Sequence, residues 1–160
     1  GWDRQLLEGA TPEAREWREQ VDHWWAERLN MPELTPRWVL QYWGTEVCRQ
    51  GFHDDIWIAS LEHRLSQQDT NTVISDVRFP NEVKAIKQAG GKVWWVQRGA
   101  LPDWYPQGML ASNGNADAVE KLQEQGVHIS EWAWLQSGFD GVLTNNSTVD
   151  HLCAKVSGRL

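Results

Sequence analysis

One strand, helix, strand pattern constrains the fold more than any other feature of the sequence. Thr72–Ser75 is a short β-branched run that ends at Asp76, which is typical of a buried strand. Pro80 begins a short helix that closes at Gly90, and Lys92–Gln97 forms a second strand. A unit of this length favours parallel pairing of its strands through a right-handed crossover. The pattern therefore predicts an α/β fold with a parallel sheet and flanking helices.

Helix-start signals divide the rest of the chain. Thr11 precedes Pro12 and predicts a helix to about Leu29, and the same Thr-Pro signal at Thr35 predicts a helix to about Arg49. No internal repeat, linker or second domain is visible. The remaining predicted elements are a helix after Asp54 and Asp55, loop or lid material over residues 99–115, a helix Ala116–Gln125, a short helical segment after His128, a strand Gly141–Thr144 and a terminal helix capped by Ser147 or Thr148.

Composition excludes two classes of partner. The 160 residues carry a net charge of −7, which argues against binding along a nucleic acid polymer because that needs a basic surface. No apolar run approaches a membrane span, and no signal peptide is visible.

Cys48 and Cys153 lack metal-ligand spacing. We therefore expect reduced, buried thiols in a cytoplasmic protein, located in the bacterial host cell if a phage encodes it.

Tryptophan is far more frequent than in an average domain. The chain has 12 tryptophans, and some are paired, as in Trp24–Trp25 and Trp94–Trp95. Core packing with half-buried rings is the ordinary explanation. A surface that stacks on bases or binds a partner is the alternative.

Polar residues follow the first predicted strand. Asp76 ends the strand, Arg78 comes two residues later, and Asn81 and Glu82 lie at the helix start. In open parallel sheets ligands bind outside the carboxyl ends of the strands, and a carboxylate with a guanidinium suits magnesium and phosphate chemistry. The alternative is a structural Asp–Arg pair that caps the next helix.

The helix from Thr35 to Arg49 has two distinct faces. Gly44 interrupts it, and a glycine costs about 1 kcal/mol relative to alanine in a helix, so a ligand or another backbone is expected to come close there. A solvated polar face is the alternative. At about 100° per residue, the apolar stripe contains Val39, Leu40, Trp43 and Val47, and the opposite side contains Arg37, Gln41, Gly44, Thr45 and Cys48.

Further polar residues lie beside predicted loops and turns. Arg98 ends the second strand, where it could reach a phosphate or lie free on the surface. His128 and Glu131 could form a polar pair at a helix start, where capping is the usual explanation. Asn145 follows the last strand, and a turn there would also favour asparagine.

Several of these segments resemble motifs of phage and bacterial deoxynucleoside monophosphate kinases. The matching strings are LQYWGTEVCR at Leu40–Arg49, FHDDIW at Phe52–Trp57 and ISDVRFPNE at Ile74–Glu82. The resemblance covers nearly the whole chain, and DVRFPNE is its most specific part. The expected order continues with Gly90–Val93 leading to Arg98, His128–Glu131 and the strand that ends at Asn145.

The resemblance implies a P-loop kinase fold and a set of residue roles. The chain would be a single domain over residues 1–160, with a lid-like region at 99–127. It would take part in transfer of the terminal phosphoryl group of ATP to a deoxynucleoside monophosphate with Mg²⁺. Asp76 would lie near the metal, Arg78 would contact phosphate, and Arg98 would belong to the lid side of the ATP site. Asn145 would lie near the adenine, and the substrate would be held by Arg37, Gln41, Thr45, Arg49, Asn81 and Glu82.

One motif of the family is absent from this sequence. The family places a GxxxxGK[ST] loop between its first strand and first helix, and no such string occurs here. Gly90–Val93 leads into a strand and is no substitute. Because phosphoryl transfer depends on that loop's amides and lysine, we expect the chain alone to be inactive, whether as a truncated kinase or as a fold remnant. The alternative function is a non-catalytic relative that binds a nucleotide or a protein. A missing first strand would leave Thr72–Asp76 unpaired on one edge, which predicts a homo-oligomer.

Overall fold

The structure is a computed structural model that describes residues 1–67 and 70–158. The chain divides into two compact units, Gly1–Ser60 and Leu61–Leu160. The expectation of buried cysteines is wrong, because Cys48 is only half-buried and Cys153 is exposed. Within the described residues, no helix is long and apolar enough to cross a membrane.

The first unit is helical. One correction concerns the helix predicted from Thr11 to about Leu29, which is two helices. The chain leaves the first at Gln20, whose backbone is extended, and Asp22 caps the second. The elements are α1 (Arg4–Glu8), α2 (Pro12–Glu19), α3 (His23–Leu29), α4 (Pro36–Tyr42), a π-helical segment (Trp43–Gln50) and α5 (Ile56–Leu65), which continues into the second unit.

Asp22 is the reason for the break. Its carboxylate accepts hydrogen bonds from the Trp2 indole at 2.6 Å and from the backbone N–H of Trp25 at 3.1 Å. These two hydrogen bonds hold the pKa of Asp22 below its usual value, and the bond from Trp2 has the larger effect. A lowered folded-state pKa stabilises the fold above the unfolded-state pKa, and this stabilisation is lost as pH falls through the folded value.

The second predicted helix is confirmed, with a change of geometry along its length. The Thr35 hydroxyl accepts from the N–H of Trp38 at 3.0 Å and caps the start. After Tyr42 the helix widens, and Gly51 N–H donates to the Glu46 carbonyl five residues earlier, at 2.9 Å. π-helical segments are rare in proteins, and those that occur are often found at functional sites.

The second unit contains a parallel sheet, which confirms the α/β class. Strands β1 (Trp94–Gln97) and β2 (Gly141–Thr144) pair in parallel, with Trp94 opposite Gly141 and Gln97 opposite Thr144. The predicted caps Asn115 and Thr148 are also observed. The other elements are α6 (Pro80–Gln88), α7 (Tyr105–Ser112), α8 (Ala116–Glu124), a 3₁₀ turn (Ile129–Glu131) and α9 (Val149–Ser157).

The predicted strand at Thr72–Ser75 is wrong. Residues 71–77 have no regular secondary structure, and the partner of β1 is β2 rather than this segment. Val73 is 93% exposed. The β-branched composition favours a strand only where a neighbouring strand supplies hydrogen bonds and buries the side chains, and no described strand pairs with this segment.

The loop predicted at 99–115 is also corrected, because it contains α7. This helix packs on α8, and the core of the unit lies around them. Gly108 lets α7 also pack closely on the segment after the 3₁₀ turn, since a Cβ there would lie 3.0 Å from Leu135 and 3.1 Å from Trp132. The buried core consists of Ala111, Ala118, Leu122, Trp132 and Leu135.

We expect Leu122→Ala to destabilise the protein by about 2–5 kcal/mol, because truncating a buried leucine leaves a cavity. Leu122 is 0% exposed. Urea unfolding monitored by circular dichroism measures the change. The matched control is Leu110→Ala on α7, whose side chain is half exposed, and it should cost much less. Equal losses for the two variants would contradict the assigned core.

Candidate functional site

The segment that precedes α6 is held by a side chain from inside the helix. Pro80 sits at the first helical position, and the Glu82 carboxylate turns back to accept from the backbone N–H groups of Arg78 at 2.7 Å and Phe79 at 3.0 Å. The Asn81 side chain accepts from the N–H of Glu82 at 3.1 Å. This reach-back satisfies donors that a helix start leaves without intrahelical partners. It therefore fixes the backbone from which the Arg78 side chain projects.

Asp76 and Arg78 do not form an ion pair that caps α6, which was the structural alternative for these two residues. The Arg78 guanidinium contacts the Glu131 carboxylate at 3.3 Å, across 53 residues of sequence. Asp76 is exposed, and its carboxylate has no hydrogen bond or ion pair with any described residue. Glu82, not an Asp–Arg pair, caps the helix. Asp76 and Arg78 thus remain accessible to a ligand, with Arg78 positioned from one side by Glu131.

The carboxyl ends of the two paired strands carry Arg98 and Asn145. Asn145 is buried, its N–H extends the ladder to the Gln97 carbonyl at 2.9 Å, and its side-chain amide donates to the Thr148 carbonyl at 2.9 Å. Asn145 therefore shapes the turn into α9. The Arg98 side chain is exposed, and it makes no hydrogen bond or ion pair within the described ranges.

In the first unit, the polar face of the helix over Pro36–Gln50 is the protected one. Thr45 is 5% exposed and Arg49 is 4% exposed, whereas Trp43 on the apolar stripe is 59% exposed. Arg37 and Gln41 are half-buried. The alternative of a solvated polar face is therefore wrong at Thr45 and Arg49.

Arg49 is the most enclosed cation of this face. Its guanidinium pairs with the Asp54 carboxylate at 2.9 Å, and Asp54 itself is largely exposed. Burying a charge is costly unless it is paired, so the Asp54 contact stabilises Arg49 in this position. Arg37 lies 4.0 Å from Glu19 of α2. Guanidinium groups held in this way can bind a phosphate in bidentate geometry.

The described residues do not by themselves complete a magnesium or ATP site. They contain no group of three or more His, Cys, Asp or Glu side chains that could hold a metal. Asp76 supplies one carboxylate, and Mg²⁺ is usually bound by one or two carboxylates together with substrate phosphates. The sequence has no GxxxxGK[ST] string for the phosphates of ATP.

Sequence reasoning missed two features of the second unit. It did not foresee that Glu131 would contact Arg78, because the two residues are distant in sequence. A set of half-buried rings around Trp95, among them Tyr105 and Trp134, was also missed, because Tyr105 belongs to α7, where the sequence predicts a loop. The tryptophan content was the available signal.

Two known proteins are similar to this chain in sequence. One is the deoxynucleoside-5'-monophosphate kinase of Escherichia phage T5, which is 43% identical over 56 residues, or 34% of this chain and 22% of that protein. The other, from Acanthamoeba polyphaga mimivirus, is named "Putative deoxynucleotide monophosphate kinase" and is 27% identical over 136 residues, or 76% of this chain and 59% of that protein. No family model matches the chain, and no solved structure gives a significant match.

These similarities confirm the resemblance read from the motifs. The chain is a relative of proteins named deoxynucleoside monophosphate kinases. In each case the matched part is less than two thirds of the relative's length.

We expect Glu82→Ala to destabilise the protein by about 0.5–2 kcal/mol, because it removes the acceptor of two backbone N–H groups at a helix start. Chemical unfolding measures the loss. The control is Lys84→Ala, which truncates an exposed side chain of the same helix and should change stability little. If both variants unfolded at the same denaturant concentration, the Glu82 hydrogen bonds to the backbone of Arg78 and Phe79 would not stabilise the fold as we expect.

Proposed function

We propose that this chain forms the substrate-binding part of a deoxynucleoside monophosphate kinase, which transfers the terminal phosphoryl group of ATP to its substrate. The observation that carries the proposal is the similarity to two proteins named as such kinases. The fold supports it at a coarser level, because a parallel α/β sheet gathers polar residues at the carboxyl ends of its strands.

The arginines account for recognition of the monophosphate. Arg78 is accessible, and Glu131 and the capped backbone before α6 orient it. A charge-assisted contact from such a guanidinium binds a phosphate more strongly than a neutral donor does. On the first unit, Arg49 and Thr45 add protected polar groups. We also propose, on the resemblance alone, that Asp76 lies near the metal and Asn145 near the adenine.

We expect no ATP-dependent phosphorylation by this chain alone. The GxxxxGK[ST] loop, whose amides and lysine stabilise the transition state, does not occur in its sequence. Binding of the substrate is therefore the activity to measure. A non-catalytic relative that binds only proteins is the competing function, and it predicts no affinity for deoxynucleoside monophosphates.

Arg78→Ala should weaken binding of a deoxynucleoside monophosphate by about 1.5–3 kcal/mol, the usual value of a hydrogen bond to a charged group. Isothermal titration calorimetry with dAMP, dCMP, dGMP and dTMP measures the change and identifies the preferred base. Arg64→Ala is the matched control, since Arg64 is an exposed arginine of α5 that the proposal assigns no role. Equal affinity of parent and Arg78→Ala would remove Arg78 from the substrate site.

We also infer that the chain self-associates through residues 72–77. This segment combines an almost fully exposed Val73 with backbone groups that no described strand pairs. Residues of the N-terminus do not supply a strand, because Arg4–Glu8 forms α1 against α2. An unpaired apolar segment of this kind favours pairing with a second chain, which buries apolar surface and forms backbone hydrogen bonds.

Val73→Lys should reduce self-association, because a charge on an edge segment opposes pairing. Light scattering after size-exclusion chromatography over a wide concentration range gives the mass. The control is the same substitution at another exposed valine, Val149→Lys on α9. It should leave the mass unchanged. A parent protein that stays monomeric throughout would refute the inference.

A further inference from the structure

The second unit contains a pocket that the proposed residue roles do not use. It has a volume of about 200 Å³ and lies between the end of β1, the start of α7 and the turn at Glu131. Four aromatic side chains line it, Trp95, Trp104, Tyr105 and Trp134. All four are half-buried, so each is fixed by packing and still has ring surface to offer a ligand.

The rings are arranged as a rigid wall. Tyr105 lies parallel to Trp95, with ring centroids 6.0 Å apart and an angle of 10° between the planes. Trp134 meets Trp95 edge-on at 5.6 Å, and Phe139 contacts both Trp95 and Trp134 from behind. Aromatic contacts of this geometry are favourable beyond the area they bury. The wall is therefore preorganised, and a planar ligand would not have to order it.

Charged residues also line this pocket. Arg98 lines it, is exposed, and makes no hydrogen bond or ion pair with the described residues. Glu131 also lines the pocket, and its carboxylate forms an ion pair with Arg78 at 3.3 Å. Aromatic walls beside guanidinium groups are complementary to a ligand that joins a flat ring to an anion.

We propose that this pocket binds the base of the substrate nucleotide, with Arg98 at its phosphate together with Arg78, which contacts the pocket residue Glu131. This places Arg98 at the substrate's phosphate and not on the lid side of the ATP site, where the resemblance would put it. The proposal rests on the proposed function, since that function supplies the class of ligand, and it adds the place where the base is held. Base-on-ring stacking explains why Trp95, Tyr105 and Trp134 remain partly exposed around one concave site. An apolar protein side chain would fit the rings but leave Arg98 without an anionic partner.

The test compares probes with and without a base. We expect the parent chain to bind dAMP more tightly than deoxyribose 5-phosphate. Tyr105→Leu should weaken dAMP binding roughly 5- to 150-fold, the range for loss of one base-stacking ring, and leave deoxyribose 5-phosphate unchanged. Tyr105→Phe keeps the ring and should retain the parent affinity. Calorimetry gives the affinities, and thermal unfolding verifies that each variant is folded.

Arg98→Gln is a second variant, at an exposed position where folding is not at risk. It should weaken dAMP and deoxyribose 5-phosphate to the same extent, because both carry the phosphate. Tyr42→Leu is the matched control in the first unit, where Tyr42 is exposed and stacked on Trp38, and it should bind both probes as the parent does.

The outcomes separate the two proposals. If dAMP binds, but Tyr105→Leu and Arg98→Gln bind it as well as the parent does, the pocket assignment is overturned and the proposed function stands. If the parent binds none of dAMP, dCMP, dGMP, dTMP and deoxyribose 5-phosphate, the proposed function fails and the pocket assignment fails with it. A loss of dAMP affinity in Tyr42→Leu would move the base to the first unit and overturn the pocket assignment alone.

Discussion

The parallel pairing of β1 with β2 is the interaction on which the second unit depends. The pairing begins where the N–H of Asp140 donates to the Val93 carbonyl, and the Asp140 carboxylate accepts in return from the N–H of Val93. Glycine at position 141 leaves room for the Trp94 ring, which a Cβ there would contact. The ladder then brings Arg98 and Asn145 to one edge of the sheet. A parallel pair with its polar residues at that edge is the arrangement in which α/β proteins bind ligands.

The second constraint is the chain's use of carboxylates to position backbone and guanidinium groups. Glu82 holds the backbone before α6, Glu131 contacts the Arg78 side chain, and Asp54 pairs with the buried Arg49. Each arginine is thereby oriented before any ligand arrives, which lowers the ordering cost of binding. In the second unit, a guanidinium that Glu131 already orients is a preorganised group rather than a flexible surface arginine.

Local signals predicted much of the fold. Thr35, Asn115 and Thr148 cap their helices as expected, because a cap depends only on residues three positions apart. The strand Gly141–Thr144 also has the predicted bounds. Prediction failed where distant contacts decide the outcome. No strand among the described residues pairs with Thr72–Ser75, and α7 packs at Gly108 against Trp132 and Leu135.

The candidate site shows the same division. The sequence identified Asp76, Arg78 and Arg98 by residue type and position, and their accessibility in the structure is compatible with ligand binding. The motifs alone could not show that Glu131 orients Arg78, or that the helix bearing Thr45 and Arg49 turns its polar face inward. Both follow from packing between segments far apart in the chain. The roles of these residues in binding remain predictions.

Amide hydrogen exchange of the whole chain, with and without saturating dAMP, tests the central claim most directly. The account predicts slower exchange with nucleotide at residues 78–82 and 98–105, because the ligand stabilises the capped segment before α6 and the wall of the aromatic pocket. Binding of dAMP with unchanged exchange in both segments would contradict the account.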